Sequence, residues 1–438
     1  MPSLPVCVYT CQTNPVMKRL SLFLLVSWAI ACWAAPARAN SILIPMDDQQ
    51  TDHLKAYGIA YAVLQADGDV DWLLNYRGGS FLIDFSTKFE SECRIRGVSF
   101  QLLTDGGAAS LKQQLANPDQ NTDVVALHKA AKIVVYSPIK TSPAAFENTD
   151  AVLLVLTYAE IPYDVVYDQE ILSGDLPKYD WLHLHHEDFT GQFGRNLNRL
   201  SPADVKAQEA IAKQFGYAKV SQMKLAVAKA IKAFCAGGGY LFAMCSATET
   251  LDIALAAEGL DIVGSSYDGD GEDADGQAKL DFSKTFAFQN FKLESDYGGG
   301  FSTFSDINAT AGGGYGQASG YFQLFNFSAR YDVVPAMLTQ NHENVIKEFF
   351  GQTTAFRKAA VKSNVLVMGE GKTSDRYLYG ELGRGQWTFY GGHDPEGLRG
   401  GGNWRIPTDL HLHPHSPGYR LILNNVLFPS AKKKKRKT

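Results

Sequence analysis

Reactive residue types gather at three places in this sequence. The run GGGYLFAMCSATET, residues 237–250, sets Cys245 between an apolar segment and a string of small and capping residues. A thiol placed where a strand stops and a helix begins faces the backbone N–H groups of that helix, whose positive end favours thiolate. The run GGHDPE, residues 391–396, offers His393 to take the thiol proton and Glu396, with Asp394 as its rival, to orient the imidazole. Cys245, His393 and Glu396 are therefore the candidate catalytic residues. The third place is WLHLHHED, residues 181–188, where His183 and His185 alternate on one strand face and His186, Glu187 and Asp188 follow at its end. Imidazoles beside carboxylates suit Zn²⁺ or a similar divalent ion, which makes His183, His185, His186 and Glu187 candidate ligands. Without an ion, the strand histidines are core residues, and His185, His186, Glu187 and Asp188 line a pocket together with Asp394.

Other polar groupings are weaker. Asn341-His342-Glu343 reads as a helix cap or as a lining element of the same pocket through His342. His411, His413 and His415 alternate around Pro414 and read as a loop. Arg77-Gly78-Gly79-Ser80 lacks the Lys-Ser/Thr of a phosphate loop and reads as a turn. Asp268, Asp270, Asp273 and Asp275 invite a calcium reading, but an EF-hand loop needs Gly at its sixth position, where Asp273 stands. A hydrated surface insertion accounts for them better.

The elements that must position these residues alternate. After short runs such as SILIPM, AYGIAYAVL and DWLLNY, read as strand-like, and a turn at Asp67-Gly68, the pattern strengthens from about residue 131. KIVVYSP, YDVVY, YDWLHLHH and YLFAM read as strands. AVLLVLTYAEI, SPADVKAQEAIAKQFG, SQMKLAVAKAIKAFCAGG and TETLDIALAAEG read as helices, the second opened by Ser-Pro and the third closed by glycines. Such alternation means βαβ units on a parallel sheet. VLVMGE, RYLYGEL and QWTFYGGH close it as strands, and SPGYRLILNNVLF ends it as a helix. The expected organisation is a leader over 1–39, a small α/β region over 40–130, an α/β domain over 131–430 with an insertion at about 264–320, and a basic tail over 431–438.

Met17-Lys18-Arg19, the apolar run LSLFLLVSWAIACWAA and Ala37-Arg38-Ala39 form the basic, apolar and cleavage regions of a signal peptide. This predicts translation from Met17, export to the periplasm or cell envelope, and a mature chain starting near Asn40. A lipobox reading at Cys32 ranks second. Cleavage leaves Cys93, Cys235 and Cys245, an odd number that cannot all pair within one chain. The net charge is −5, and removing three basic residues of the leader and six of the tail leaves a body near −14. An acidic body argues against nucleic acid as partner. The tail AKKKKRKT reads as solvated, with an anionic membrane surface as its sharper alternative.

A strand that ends in a cysteine elbow and a late F-x-x-x-H-x-P-E-like element resemble the class I glutamine amidotransferases. That resemblance implies a flavodoxin-like parallel sheet flanked by helices and a Cys-His-Glu triad of Cys245, His393 and Glu396. Ala243 and Ala247 stand where that family carries elbow glycines, and H-D-P-E replaces H-P-E. IPYDVVYDQEILSGDLPKYDWLHLHHEDFTG, GGGYLFAMCSAT and GGHDP resemble the ThuA-like branch of this superfold, which implies a carbohydrate-related binding module without catalysis. Nearly the whole mature chain, through ILIPMDDQQ, LNYRGGSF, WLHLHHEDFTGQ, FAMCSAT and FYGGHDPE, resembles secreted bacterial proteins labelled asparagine synthetase B. The S-G-G-x-D-S loop and N-terminal cysteine of true synthetases of that name are not in the sequence. The expected function is an exported amidotransferase-like hydrolase acting on an amide or ester; the alternative is the ThuA-like module. The expected partner is a small amide or sugar-like molecule.

Overall fold

The computed structural model describes residues 40–137, 150–193, 200–294, 304–309, 320–349, 353, 355–397 and 406–431. The leader, Cys32, the basic tail from 432 and parts of the insertion lie outside these residues.

Five strands open the fold: β1 (Ser41–Ile44), β2 (Val70–Leu74), β3 (Ser80–Asp84), β4 (Gln101–Leu103) and β5 (Asp123–Leu127). They form an antiparallel sheet in the order β4-β1-β3-β2-β5. Three helices accompany it, α1 (His53–Gln65), α2 (Thr87–Ile95) and α3 (Asp105–Leu115). Here the structure corrects the sequence reading: AYGIAYAVL is the middle of α1, not a strand. Asp52 caps this helix by accepting from Lys55 N–H at 2.9 Å. The helix is buried nearly all round, so it shows no 3.6-residue stripe to read. The turn expected at Asp67-Gly68 is present, with Asp67 at φ 58°. The Arg77-Gly78-Gly79 segment is also a turn, with φ of 47°, 75° and 88°, folded over the Met46 carbonyl.

The second sheet has ten strands: β6 (Ile133–Tyr136), β7 (Asp164–Val166), β8 (Trp181–Leu184), β9 (Tyr240–Met244), β10 (Tyr321–Leu324), β11 (Val345–Lys347), β12 (Phe356–Arg357), β13 (Leu366–Glu370), β14 (Ser374–Leu382) and β15 (Gly385–Tyr390). Its path runs β11-β10-β13-β14-β15-β9-β8-β6-β7, with β12 beside β14. Neighbours from β7 to β15 are parallel, so five strands stand in the chain order 2-1-3-4-5. From β15 outwards through β14, β13, β10 and β11 the pairing is antiparallel. The sheet is therefore mixed, not parallel throughout.

The helices of this half are α4 (Ala151–Tyr158), α5 (Asp168–Leu172), α6 (Pro202–Gln214), α7 (Val220–Gly237), α8 (Cys245–Ala256), α9 (Ser265–Asp268), α10 (Val333–Leu338) and α11 (Pro417–Leu427). Strand residues alternate between two apolar cores. Trp181, Phe242, Met244 and Tyr390 pack with α1, α4 and α11, while Leu182, Leu241, Ala243 and Phe389 pack with α7 and α8. Burying such side chains contributes about 1.5–3 kcal/mol each, enough to fix the register of β8, β9 and β15 and the level of their ends. Helices α1 and α11 pack on each other between the two sheets. Among the described residues, no helix is long and apolar enough to cross a membrane.

Candidate functional site at the strand ends

Strand β9 lies between β8 and β15, and Cys245 follows its last residue as the first residue of α8. Its φ is +49°, in the left-handed region that costs a non-glycine residue about 1–3 kcal/mol. Neighbouring strand ends hold it there. Cys245 N–H donates to Gly392 O at 3.0 Å, Ala247 N–H donates to His185 O at 3.0 Å, and Thr248 Oγ1 donates to Cys245 O at 2.8 Å. Ala243 and Ala247 are fully buried, so the turn closes on two methyl groups. Cys245 itself is 0% exposed. Among the described residues, Cys93, Cys235 and Cys245 are buried and form no disulfide with one another, and burial pushes the Cys93 and Cys235 thiols up to about 12, which marks those two as packing.

The loop after β8 brings two imidazoles together with one from the loop after β15. The His185 ring centroid lies 4.3 Å from that of His393 and 4.7 Å from that of His186, and His186 lies 5.4 Å from His393. Burial, then the neighbouring His185, pushes the His186 imidazole down to about 3. Behind them sits Asp150, the N-cap of α4, whose Oδ1 accepts from Val152 and Leu153 N–H. Its Oδ2 lies 2.9 Å from His185 Nδ1 and 3.3 Å from His183 Nε2. Burial alone would raise the Asp150 carboxyl; the two imidazoles outweigh it and hold the group well below the usual carboxylate range. The sequence reading missed Asp150, and the signal that could have found it is an aspartate directly before the apolar helix AVLLVLTY.

His183 is a core residue. It is 0% exposed, its Nδ1 lies 3.2 Å from Phe242 O, and its Nε2 faces Asp150. Glu187 turns inward as well, its Oε2 accepting from His185 N–H at 2.6 Å, and burial pushes its carboxyl up to about 8. Asp188 accepts from Thr190 N–H and Oγ1 and shapes the loop. Beneath it, Lys224 Nζ and Asp168 Oδ2 form a buried ion pair at 2.7 Å, with Tyr136 O–H donating to Asp168 at 2.6 Å. The sequence reading missed this trio too; Lys224 lies on the apolar face of α7.

The GGHDPE carboxylates are engaged away from the elbow. Asp394 Oδ1 accepts from Tyr419 O–H at 2.7 Å and its Oδ2 from Thr408 Oγ1 at 2.6 Å, which clasps the loop to α11. Glu396 Oε2 lies 3.3 Å from Lys347 Nζ and 3.5 Å from His413 Nδ1. His342 belongs to a second histidine group, where its ring stacks on His53 at 4.1 Å and its Nδ1 faces Arg420 at 2.8 Å. His411 lies edge-on to Tyr158, and His415 Nδ1 lies 3.0 Å from His53 Nδ1, so the three alternating histidines serve three separate contacts. In the insertion, Asp261, Asp268 and Asp270 close on the Lys219 ammonium at 2.6, 3.1 and 2.5 Å, so an internal cation stands where the acidic run suggested calcium.

Neither a protein-family model nor a curated protein matches this sequence. Among solved structures, Cytoplasmic Protein STM3548 from Salmonella typhimurium is similar with a TM-score of 0.33 at 10% identity, over 69% of this chain and 100% of that one. Cytoplasmic Protein STM1381 from Salmonella typhimurium LT2 is similar with a TM-score of 0.31 at 10% identity, over 66% of this chain and 98% of that one. A GH42 β-galactosidase, Gan42B, is similar with a TM-score of 0.27 at 11% identity, over 60% of this chain and 28% of that one. Likenesses this remote leave the site to be read from its own geometry.

Proposed function

We propose that this chain is an amidotransferase-like hydrolase that acts on an amide or ester through Cys245. The observation that carries the reading is the left-handed φ of +49° at a cysteine between a central parallel strand and a helix. Strain at a non-glycine residue persists where the surroundings impose it, and a strand–nucleophile–helix turn is a recurrent use of it. The strand order 2-1-3-4-5 supports a flavodoxin-like assignment, in which ligands sit at the carboxyl ends of the strands. In the proposed reaction the Cys245 thiolate attacks the carbonyl carbon, and His393 takes the thiol proton and returns it to the leaving amine or alcohol. Water then hydrolyses the thioester and releases the acid. Of the N–H groups at the start of α8, those of Cys245 and Ala247 are taken by Gly392 O and His185 O, so the Ser246 N–H is the natural donor to the oxyanion.

The test is labelling of the intact chain with a glutamine-like chloroketone, followed by peptide mass spectrometry. Modification confined to Cys245, and slowed by about 10²-fold or more in His393→Ala, is the expected result. Native protein that resists the reagent, or is labelled equally well in that variant, would sink the proposal.

A second reading, the ThuA-like carbohydrate-related binding module, is favoured by the complete burial of Cys245 and by the engagement of Asp394 and Glu396 elsewhere. Sugar binding with no effect of Cys245→Ser would favour it.

A further inference from the structure

We propose that His185, His186 and His393 form a binding site for one divalent transition-metal ion of the zinc class, with Asp150 as the positioning carboxylate behind His185. One nitrogen from each of the three rings lies within 4.8 Å of the other two. Zinc bonds imidazole nitrogen at about 2.0–2.1 Å, which sets nitrogens about 3.4 Å apart in a tetrahedron. Closing from separations of no more than 4.8 Å therefore takes a modest rotation of the half-buried His186 and His393 rings around a fixed His185.

His185 carries the second, independent observation. It is 1% exposed, and its Nε2 is buried with no hydrogen-bond partner among the described residues. Leaving such an atom unsatisfied costs about 1–3 kcal/mol. Its Nδ1 meets Asp150 Oδ2 at 2.9 Å, and a carboxylate there selects the tautomer with the proton on Nδ1. The lone pair then resides on Nε2, the nitrogen with no partner. A carboxylate behind an imidazole whose other nitrogen is open is the usual outer arrangement of a metal-ligating histidine. Asp150 is itself fixed through the α4 cap, so His185 is pre-oriented.

An alternative grouping, Asp150 with His183 and His185, also brings its atoms within 4.8 Å, but all three residues are buried, His183 Nδ1 is engaged by Phe242 O and its Nε2 lies 3.3 Å from Asp150 Oδ2. The outer set keeps two half-buried members and three nitrogen ligands, which leaves a fourth position for water or another ligand. This set differs from the one the sequence suggested: His393 enters from the far strand end, while His183 and Glu187 drop out. The inference stands apart from thiol chemistry and competes with it for His393, because a nitrogen that ligates a metal no longer takes a proton from Cys245. A loaded site and an activated thiol are exclusive states.

The test uses the full chain, stripped with a chelator and titrated with Co²⁺ alone, then with Zn²⁺ as competitor. The expected result is one equivalent of Co²⁺ with the absorption of a tetrahedral nitrogen-rich site, displaced by Zn²⁺. His186→Ala and His393→Ala, both at half-buried positions, lose uptake, and Asp150→Asn, which keeps the helix cap, weakens it by about 10–100-fold. Cys245→Ser keeps the metal, which separates this outcome from failure of the thiol reading. Thermal melts confirm that each variant is folded. Folded wild-type protein that takes up no Co²⁺, or folded His186→Ala and His393→Ala variants that bind it as the wild type does, overturns the site.

Discussion

Glu249 lies one turn along α8 from Cys245 and is connected to it through protein atoms. Ser305 Oγ donates to its Oε1 at 2.6 Å and Thr353 Oγ1 to its Oε2 at 2.9 Å. Thr353 O then accepts from Gly392 N–H, and Gly392 O accepts from Cys245 N–H. Burial pushes the Glu249 carboxyl up to about 7, against the pull of its two hydroxyl donors. An acid whose folded pKa exceeds its unfolded value of 4.5 is ionised first in the unfolded chain, so this residue stabilises less and less as pH rises from 4.5 to about 7. Glu249→Gln should remove that slope, gaining up to roughly 3 kcal/mol on the wild type across the window at about 1.36 kcal/mol per pH unit. Urea melts of both proteins at a series of pH values read the difference; parallel curves would show that Glu249 is ionised throughout. Glu249 was invisible to a search for reactive residues because its partners come from residues 305 and 353. Asp150 is hidden in the sequence for the same reason: the GGHDPE motif offers a carboxylate beside His393, whereas the one the fold places behind an imidazole caps a helix more than thirty residues before His185.

At the scale of elements, the strand–elbow–helix unit was legible because YLFAM, Cys245 and a capping-rich helix start are contiguous. Most of the alternation from β6 to α8 was equally legible, although the short helix α5 was not read and α8 is buried along its whole length. Two kinds of element were not. Helix α1 is apolar on every side because it lies between two sheets, and Gly58 lets it approach closely: a Cβ there would stand 1.9 Å from Ala159 O. Strands β13 and β14 read as strands while β10, β11 and β12 did not, and the antiparallel pairing of all five depends on chain reversals that alternation does not encode. The elbow itself makes a quantitative statement. If its left-handed backbone is imposed by the contacts to Gly392 and His185, glycine should suit position 245 better than alanine does. Cys245→Gly should then be more stable than Cys245→Ala by about 1 kcal/mol, although glycine costs about 1 kcal/mol elsewhere in a helix. Chemical denaturation of the two variants decides it, and the reverse order would mean that the strain relaxes without cost.

The whole molecule is joined where α11 meets the N-terminal sheet. Arg420 is 0% exposed, and its guanidinium donates to Met46 O at 3.0 Å and to Gly78 O at 2.7 Å while facing His342 Nδ1. His53 completes the seam by stacking on His342 and meeting His415. A buried cation leaves no room for a second positive charge. Burial, then Arg420, pushes His53 down to about 2 and His342 down to about 3. For a histidine with a depressed folded pKa, the unfolded chain binds the proton first. The stabilisation from keeping these rings neutral is therefore complete above pH 6.5 and is lost as pH falls towards 3. This slope runs against that of Glu249, so between pH 4.5 and 6.5 the two partly offset one another in the wild type and separate only in variants. His342→Gln preserves an acceptor for Arg420 and cannot be protonated. Its stability relative to the wild type should rise by roughly 1–2 kcal/mol between pH 7.5 and pH 5, allowing for solvent screening of a ring near the surface. The same change should reduce acid-induced exposure of α1, read by hydrogen exchange of its amides. If protonation opened some other part of the molecule, amide protection in α1 would be the same in both proteins at pH 5, and the seam would hold the two sheets together independently of its histidines.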